Sequence, residues 1–193
     1  MTFQTFKHRV LAVALFMMAS VSIQAQQPSM QSLIGQSLGK LSHSTGEGAN
    51  SAEAFLNCIA ELKRIDATFP DSIMPKQQMA LQMLNFAVMN PHAPQTENLL
   101  SEAEQIITKM EQMKHADLAP DQSALNRTLS DICTLRGFLY MVRIVQNPAQ
   151  NGQRYYIDVM QNYEKALKLN PENQLALQLQ QKFLEGMKQQ TGE

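Results

Sequence analysis

The sequence predicts an all-α domain built of stacked antiparallel helical hairpins. Three observations predict it. Apolar residues recur at spacings of three and four along most of the chain, as on one face of a helix. No segment alternates apolar and polar residues between turn signals, as a half-buried strand would. The helical stretches are separated by breaks only a few residues long, carrying Pro, Asn and Asp. Breaks that short turn each helix back along its predecessor, because the chain between them cannot reach the far end.

The elements follow in order. Lys7, His8 and Arg9 precede an apolar run from Val10 to Val21, and Ser22-Ile23-Gln24-Ala25 ends on a small residue suited to cleavage. This is the anatomy of a secretory signal peptide over residues 1–25. The run is short for a membrane span, which takes roughly 20 apolar residues, so no integral membrane anchor is expected after cleavage. Residues 26–50 read as a weakly helical segment and a loop. Met30, Leu33, Ile34, Leu38 and Leu41 keep helical spacing, but Gly35 and Gly39 weaken it, and 42–50 (SHSTGEGAN) has loop composition.

Residues 51–193 form the main helical domain. The first helix runs from Ser51 to about Thr68, with Phe55, Cys58, Ile59, Leu62 and Ile65 on one face, and ends at Phe69-Pro70-Asp71-Ser72. Pro75 opens a second, which Met79, Leu81, Met83, Leu84, Phe86, Ala87 and Val88 make apolar on most sides, so it is expected between neighbours. Thr96 is expected to cap a third helix reaching about Lys114, with Leu99, Leu100, Ala103, Ile106, Ile107 and Met110 inward. A fourth begins at Pro120-Asp121 and reaches about Gln146, carrying Leu125, Leu129, Ile132, Leu135, Leu139, Val142 and Val145. Asn147 to Gly152 (NPAQNG) is expected to break it. The fifth spans about Gln153 to Leu169 and the sixth about Glu172 to Gln190, with Leu175, Leu179, Phe183 and Met187 inward and a polar, glutamine-rich outer face suited to a terminal cap.

Composition excludes several functions. Removing residues 1–25 leaves 14 basic against 17 acidic residues, a formal charge of −3, which does not attract a phosphate backbone. With no Trp and four Tyr there is little to stack bases on. No nucleic-acid partner is expected. Cys58 and Cys133 fall on the first and fourth main helices, which are not neighbours in a simple array. Two buried thiols acting as small apolar residues fit better than a disulfide, whose Cα atoms must come within about 7 Å. His43, His92 and His115 are scattered, and no HxxxH, HExxH or CxxC spacing, phosphate loop or nucleophile elbow occurs. No catalytic residues, metal site or cofactor are therefore expected.

The segment Tyr163 to Asn173 (YEKALKLNPEN) carries a family resemblance. Tyr163, Ala166 and Pro171 resemble the second helix of a tetratricopeptide repeat and its closing proline. A ring fills the space between hairpins, a small residue lets helices approach, and proline stops one helix before the next. Phe69-Pro70-Asp71 has the same ending, with Ala80 where a small residue of a following helix is expected. Pro70 and Pro171 lie 101 residues apart, close to three 34-residue periods, yet the breaks between them fit two oversized hairpins better than three regular ones. The family's first-helix Trp, Gly and Tyr are missing. With the run Val142 to Pro148 (VRIVQNP), the chain is similar to small exported tetratricopeptide-like proteins of the Gram-negative envelope. The resemblance implies about three hairpins, a periplasmic or secreted location, and binding of a protein or peptide of the cell envelope, without catalysis.

Binding residues are sought among aromatic and basic side chains on otherwise apolar helices: Tyr140 and Arg143 on the fourth, Arg154, Tyr155 and Tyr156 opening the fifth. The competing reading gives them structural work, the tyrosines as core with wet hydroxyls and Arg143 holding a helix end or loop. A rival function is a soft-metal carrier for Cu(I), or a small-ligand carrier, using Met79, Met83 and Met110, with Met74, Met89 and His92 nearby. Its plainer counterpart is methionine filling irregular gaps between helices.

Overall fold

The computed structural model describes residues 28–44 and 51–191, so the expected signal peptide lies outside the described residues. Eight helices and no strand occur among the described residues. They are α1 (Met30–Ser44), α2 (Ser51–Thr68), α3 (Ile73–Met89), α4 (Thr96–Glu111), the single turn α5 (His115–Leu118), α6 (Gln122–Gln146), α7 (Pro148–Leu169) and α8 (Gln174–Thr191). Helices consecutive in the chain pack on one another in the pairs α1–α2, α2–α3, α3–α4, α6–α7 and α7–α8. In addition α6 packs on both α3 and α4, and α8 on both α6 and α7. One continuous apolar core runs from Ile34 to Phe183.

Helix ends differ from expectation in four places, each for a local reason. α1 continues through Ser44 into the segment read as loop, where Ser42 and Ser44 hydroxyls donate to the carbonyls of Gly39 and Lys40, both at 2.8 Å; residues 45–50 lie outside the described residues. Thr96 does not cap α4. It lies inside the helix, and its hydroxyl donates back to the Asn90 carbonyl, closing the α3–α4 turn. α4 stops at Glu111, and the chain makes the extra turn α5, anchored by buried Leu118. α7 begins at Pro148, not Gln153. Asn147 alone separates α6 from α7: its side chain accepts from the Gln150 N–H at 3.2 Å, and Pro148 sits in the first turn, where its missing N–H costs nothing. Asn151 then donates to the Arg143 carbonyl at 2.7 Å, satisfying the end of α6.

The expected turn prolines sit as read, Pro70 between α2 and α3 and Pro171 between α7 and α8. Lys76 staples the first of these turns. It is buried, and its ammonium donates to Asp66 Oδ1 at 2.7 Å and to the carbonyls of Pro70 and Ser72 at 2.6 and 3.0 Å. A buried charge survives only when so fully partnered.

The hairpin of α6 and α7 is the most extensive contact in the molecule. Its register is antiparallel: Ser130 meets Ala166, Gly137 meets Tyr163 and Tyr140 meets Tyr155. α6 is buried without interruption from Ile132 to Leu139, because it is packed by α3, α4, α7 and α8. Sequence spacing placed Val145 on the inner face, but it is half-exposed and Ile144 is buried instead. The polar residues in this stretch are all engaged. Ser130 donates to the Ala166 carbonyl at 2.8 Å and Thr134 to the Ser130 carbonyl at 2.8 Å. Asn173, in the α7–α8 turn, donates to Ser130, Asp131 and Thr134 and accepts from the Ala176 N–H, so it caps α8 and ties the turn to α6 at once.

Gly137 is the close approach. A Cβ on it would stand 2.9 Å from Tyr163 Cε1 and 3.1 Å from Cδ1. Tyr163 is completely buried, its hydroxyl reaches Met141 Sδ at 3.6 Å, and burial pushes its phenol far above the ordinary range. Ala166 and Ala80 are likewise fully buried where helices approach. Cys58 and Cys133 are buried and unpaired. Gly137→Ala gains about 1 kcal/mol of helix propensity yet meets the Tyr163 ring, whereas Gly186→Ala enters open space. In urea unfolding the two variants should differ by about 1–3 kcal/mol, Gly137→Ala being the less stable. Equal stabilities would show that the α6–α7 approach is looser than this.

Candidate functional site

Two surfaces flank α7. The first lies where α4, α6 and α7 meet. Arg136 and Arg143 are seven residues apart on α6, and Glu97, Glu104 and Glu111 are seven apart on α4. Seven residues are nearly two turns, so each set lines one helix edge, and the two edges face each other antiparallel. Arg136 forks onto Glu111, with Nη2–Oε2 at 2.6 Å and Nε–Oε1 at 3.0 Å, and also donates to Thr108 at 2.8 Å. Arg143 Nη1 donates to both Glu97 oxygens at 2.7 and 2.8 Å. Glu104 stands between them, 3.9 Å from Arg136 and 3.6 Å from Arg143. Burial is the largest influence and works against the charge on both arginines, but the hydrogen bonds of Glu111 and Glu97 together with the attraction of the surrounding negative charge outweigh it and hold both guanidinium groups above their ordinary value.

Aromatic rings extend this ladder. Tyr140 stacks on Tyr155 with centroids 5.1 Å apart and planes 16° off parallel. The Arg136 guanidinium lies 5.9 Å from the Tyr140 centroid and that of Arg154 5.0 Å from the Tyr155 centroid, so the stacked pair has a cation at each end. Burial raises the Tyr140 phenol, against the opposing pull of Arg136. A cleft of about 160 Å³ opens here, lined by Glu104, Leu139, Tyr140, Arg143, Asn151 and Tyr155.

The second surface is a trough of about 630 Å³ between the N-terminal half of α7 and the C-terminal half of α8. Pro148, Ala149, Gly152, Gln153, Tyr156, Ile157 and Met187 line it. Its floor is set by Tyr156 against Phe183, with centroids 5.6 Å apart. Ile157 is 61% exposed, the most open large apolar side chain among the described residues, and Tyr156 is 38% exposed.

The five residues singled out in the sequence therefore divide. Tyr140, Arg143 and Tyr155 share the first cleft and Arg154 covers the outer ring of its aromatic pair, while Tyr156 belongs to the trough. Arg143 is engaged by Glu97, and Arg136 and the three glutamates were missed. Their sevenfold spacing is present in the sequence, but only the register of α4 against α6 makes the two sets partners. Ile157 was missed because a lone exposed isoleucine has no periodic signature.

Met79, Met83 and Met110 are all buried in the continuous core. No group of three His, Cys, Asp or Glu side chains able to hold a metal ion occurs among the described residues, and no helix among them is long and apolar enough to cross a membrane. No protein-family model, curated protein or solved structure matches the chain.

The two arginines should differ in weight. The Arg136 side chain is 11% exposed and forked onto its partner, whereas Arg143 pairs with a glutamate that is 67% exposed. Arg136→Ala should cost about 1–3 kcal/mol in urea unfolding and Arg143→Ala under about 1 kcal/mol, the latter shrinking further in high salt. Equal, salt-independent costs would contradict this ordering.

Proposed function

We propose that the protein is an exported scaffold of stacked helical hairpins, related to tetratricopeptide repeats, that binds a peptide or protein partner of the cell envelope without catalysis. Export rests on the basic start, apolar run and cleavage-like sequence of residues 1–25. The repeat reading draws support from the way the first helix of one hairpin packs on both helices of the hairpin before it, α6 on α3 and α4 and α8 on α6 and α7. Such stacking extends a surface along the array, and extended surfaces suit recognition better than chemistry.

The observation that carries the reading is the trough beside α7. An apolar concavity with Tyr156 and Ile157 open to solvent is the kind of surface on which an apolar side chain of a partner gains the most by leaving water. Its occupant is a peptide segment presenting apolar side chains, with the aromatic ring of Tyr156 as anchor. Selection of displayed peptides on residues 26–193, followed by fluorescence anisotropy, tests it. Selected peptides should bind at least tenfold more weakly to Ile157→Glu, whose thermal midpoint stays within about 2 °C of the unaltered chain because the side chain is exposed. Failure to select any peptide, or peptides indifferent to Ile157→Glu, would count against the trough as the binding surface.

A further inference from the structure

α1 is held differently from the other long helices. Among the described residues its extensive contact is with α2 alone, whereas α3, α6 and α8 each pack on two or more helices. Only Ile34, Ser37 and Leu41 of its fifteen residues are buried. Its cross-helix ion pair between described residues, Lys40 to Glu61 at 2.8 Å, has a lysine 67% exposed, and pairs of that kind add little.

Two glycines weaken it further. Gly35 and Gly39 lie within α1, and a Cβ on either would meet nothing within 4 Å. The contrast with Gly137 is direct: there packing excludes any side chain, here packing asks for none. Each of these glycines lowers the helix–coil equilibrium constant about fivefold relative to alanine, and a Cβ in its place would meet no neighbour.

Beneath α1 lies a thiol. Ser37 Oγ is 3.4 Å from Cys58 Sγ, and Cys58 is 3% exposed. Phe55, Ile59, Leu62 and Ile65 anchor α2 in the core that also holds α3, so α2 keeps its place when α1 leaves. We propose that α1 is a separately opening element, which undocks from α2 while the rest of the domain stays folded and in doing so uncovers Cys58. A group attached to the Cys58 sulfur competes with Ser37, 3.4 Å away, for the space between α1 and α2, so modification of that thiol weakens the docking of α1. The chain thus carries a thiol-sensitive first helix.

The test uses the full chain and 5,5′-dithiobis(2-nitrobenzoate). The Cys58 thiolate attacks the reagent's S–S bond, forms a mixed disulfide and releases one thionitrobenzoate, the thiol proton passing to water. Mass spectrometry follows Cys58 and, as internal reference, Cys133. The Gly35→Ala/Gly39→Ala variant should slow labelling of Cys58 about 20-fold and leave Cys133 unchanged; Leu41→Ala should speed Cys58 at least tenfold, again without Cys133. Two results would overturn the proposal. Cys58 labelling indifferent to both variants means the reagent arrives through the cleft of about 380 Å³ beside it, with α1 in place. Equal changes at both cysteines mean α1 opens only when the whole domain does.

Discussion

The ring of Tyr163 occupies the space where a side chain on residue 137 would stand, and the arrangement of the second half of the chain depends on that approach. With the helix axes drawn together there, Ser130 can reach the Ala166 carbonyl, and the α7–α8 turn is brought down onto α6 so that Asn173 can bond three of its side chains. The turn in turn fixes where α8 starts, since the same Asn173 accepts from Ala176. On its opposite edge α6 presents Arg136 and Arg143 to the glutamates of α4. A single helix is thereby committed on every side. That is why Ser130, Thr134 and Arg136 are buried, and why each must be partnered: an unpaired hydroxyl or guanidinium there would cost more than the contact returns.

The placement of the two surfaces follows from α7. Consecutive helical residues point about 100° apart, so Tyr155 and Tyr156 diverge. Tyr155 stacks on Tyr140 in the charged cleft and Tyr156 packs on Phe183 beneath the apolar trough. The two surfaces differ in what they leave unspent. In the cleft, Arg136 and Arg143 each have a carboxylate and each stacked ring has a cation. In the trough, Ile157 remains open to water. The charged cleft thus ties α4 to α6, and the trough keeps an apolar side chain in water.

Much of this fold was legible in the sequence where one face of a helix is buried and the other wet. The inward sets of α2 and α4 and the place of α3 between neighbours follow from periodicity. α6 was harder. Ser130, Thr134 and Arg136 interrupt its apolar pattern, so a helix buried from Ile132 to Leu139 reads as amphipathic, and Val145 is placed inside when Ile144 is. The start of α7 was hidden for a different reason: NPAQNG has every mark of a loop, but one asparagine cap and a first-turn proline suffice to restart a helix. Of the site, residue type located Tyr140, Tyr155 and Tyr156, whereas their division between two surfaces needed the hairpin register. The glutamate ladder was visible as spacing and meaningless until α4 faced α6.

If the α6–α7 contact organises the fold, it is the last part of the molecule to open. Native-state hydrogen exchange as a function of urea measures this directly. Amides of Leu135 to Leu139 and of Val159 to Tyr163 should exchange only through global unfolding, with a denaturant dependence equal to that of the whole domain. Exchange of those amides through a smaller, local opening, while α3 remains protected, would contradict the central place given to Gly137 and Tyr163.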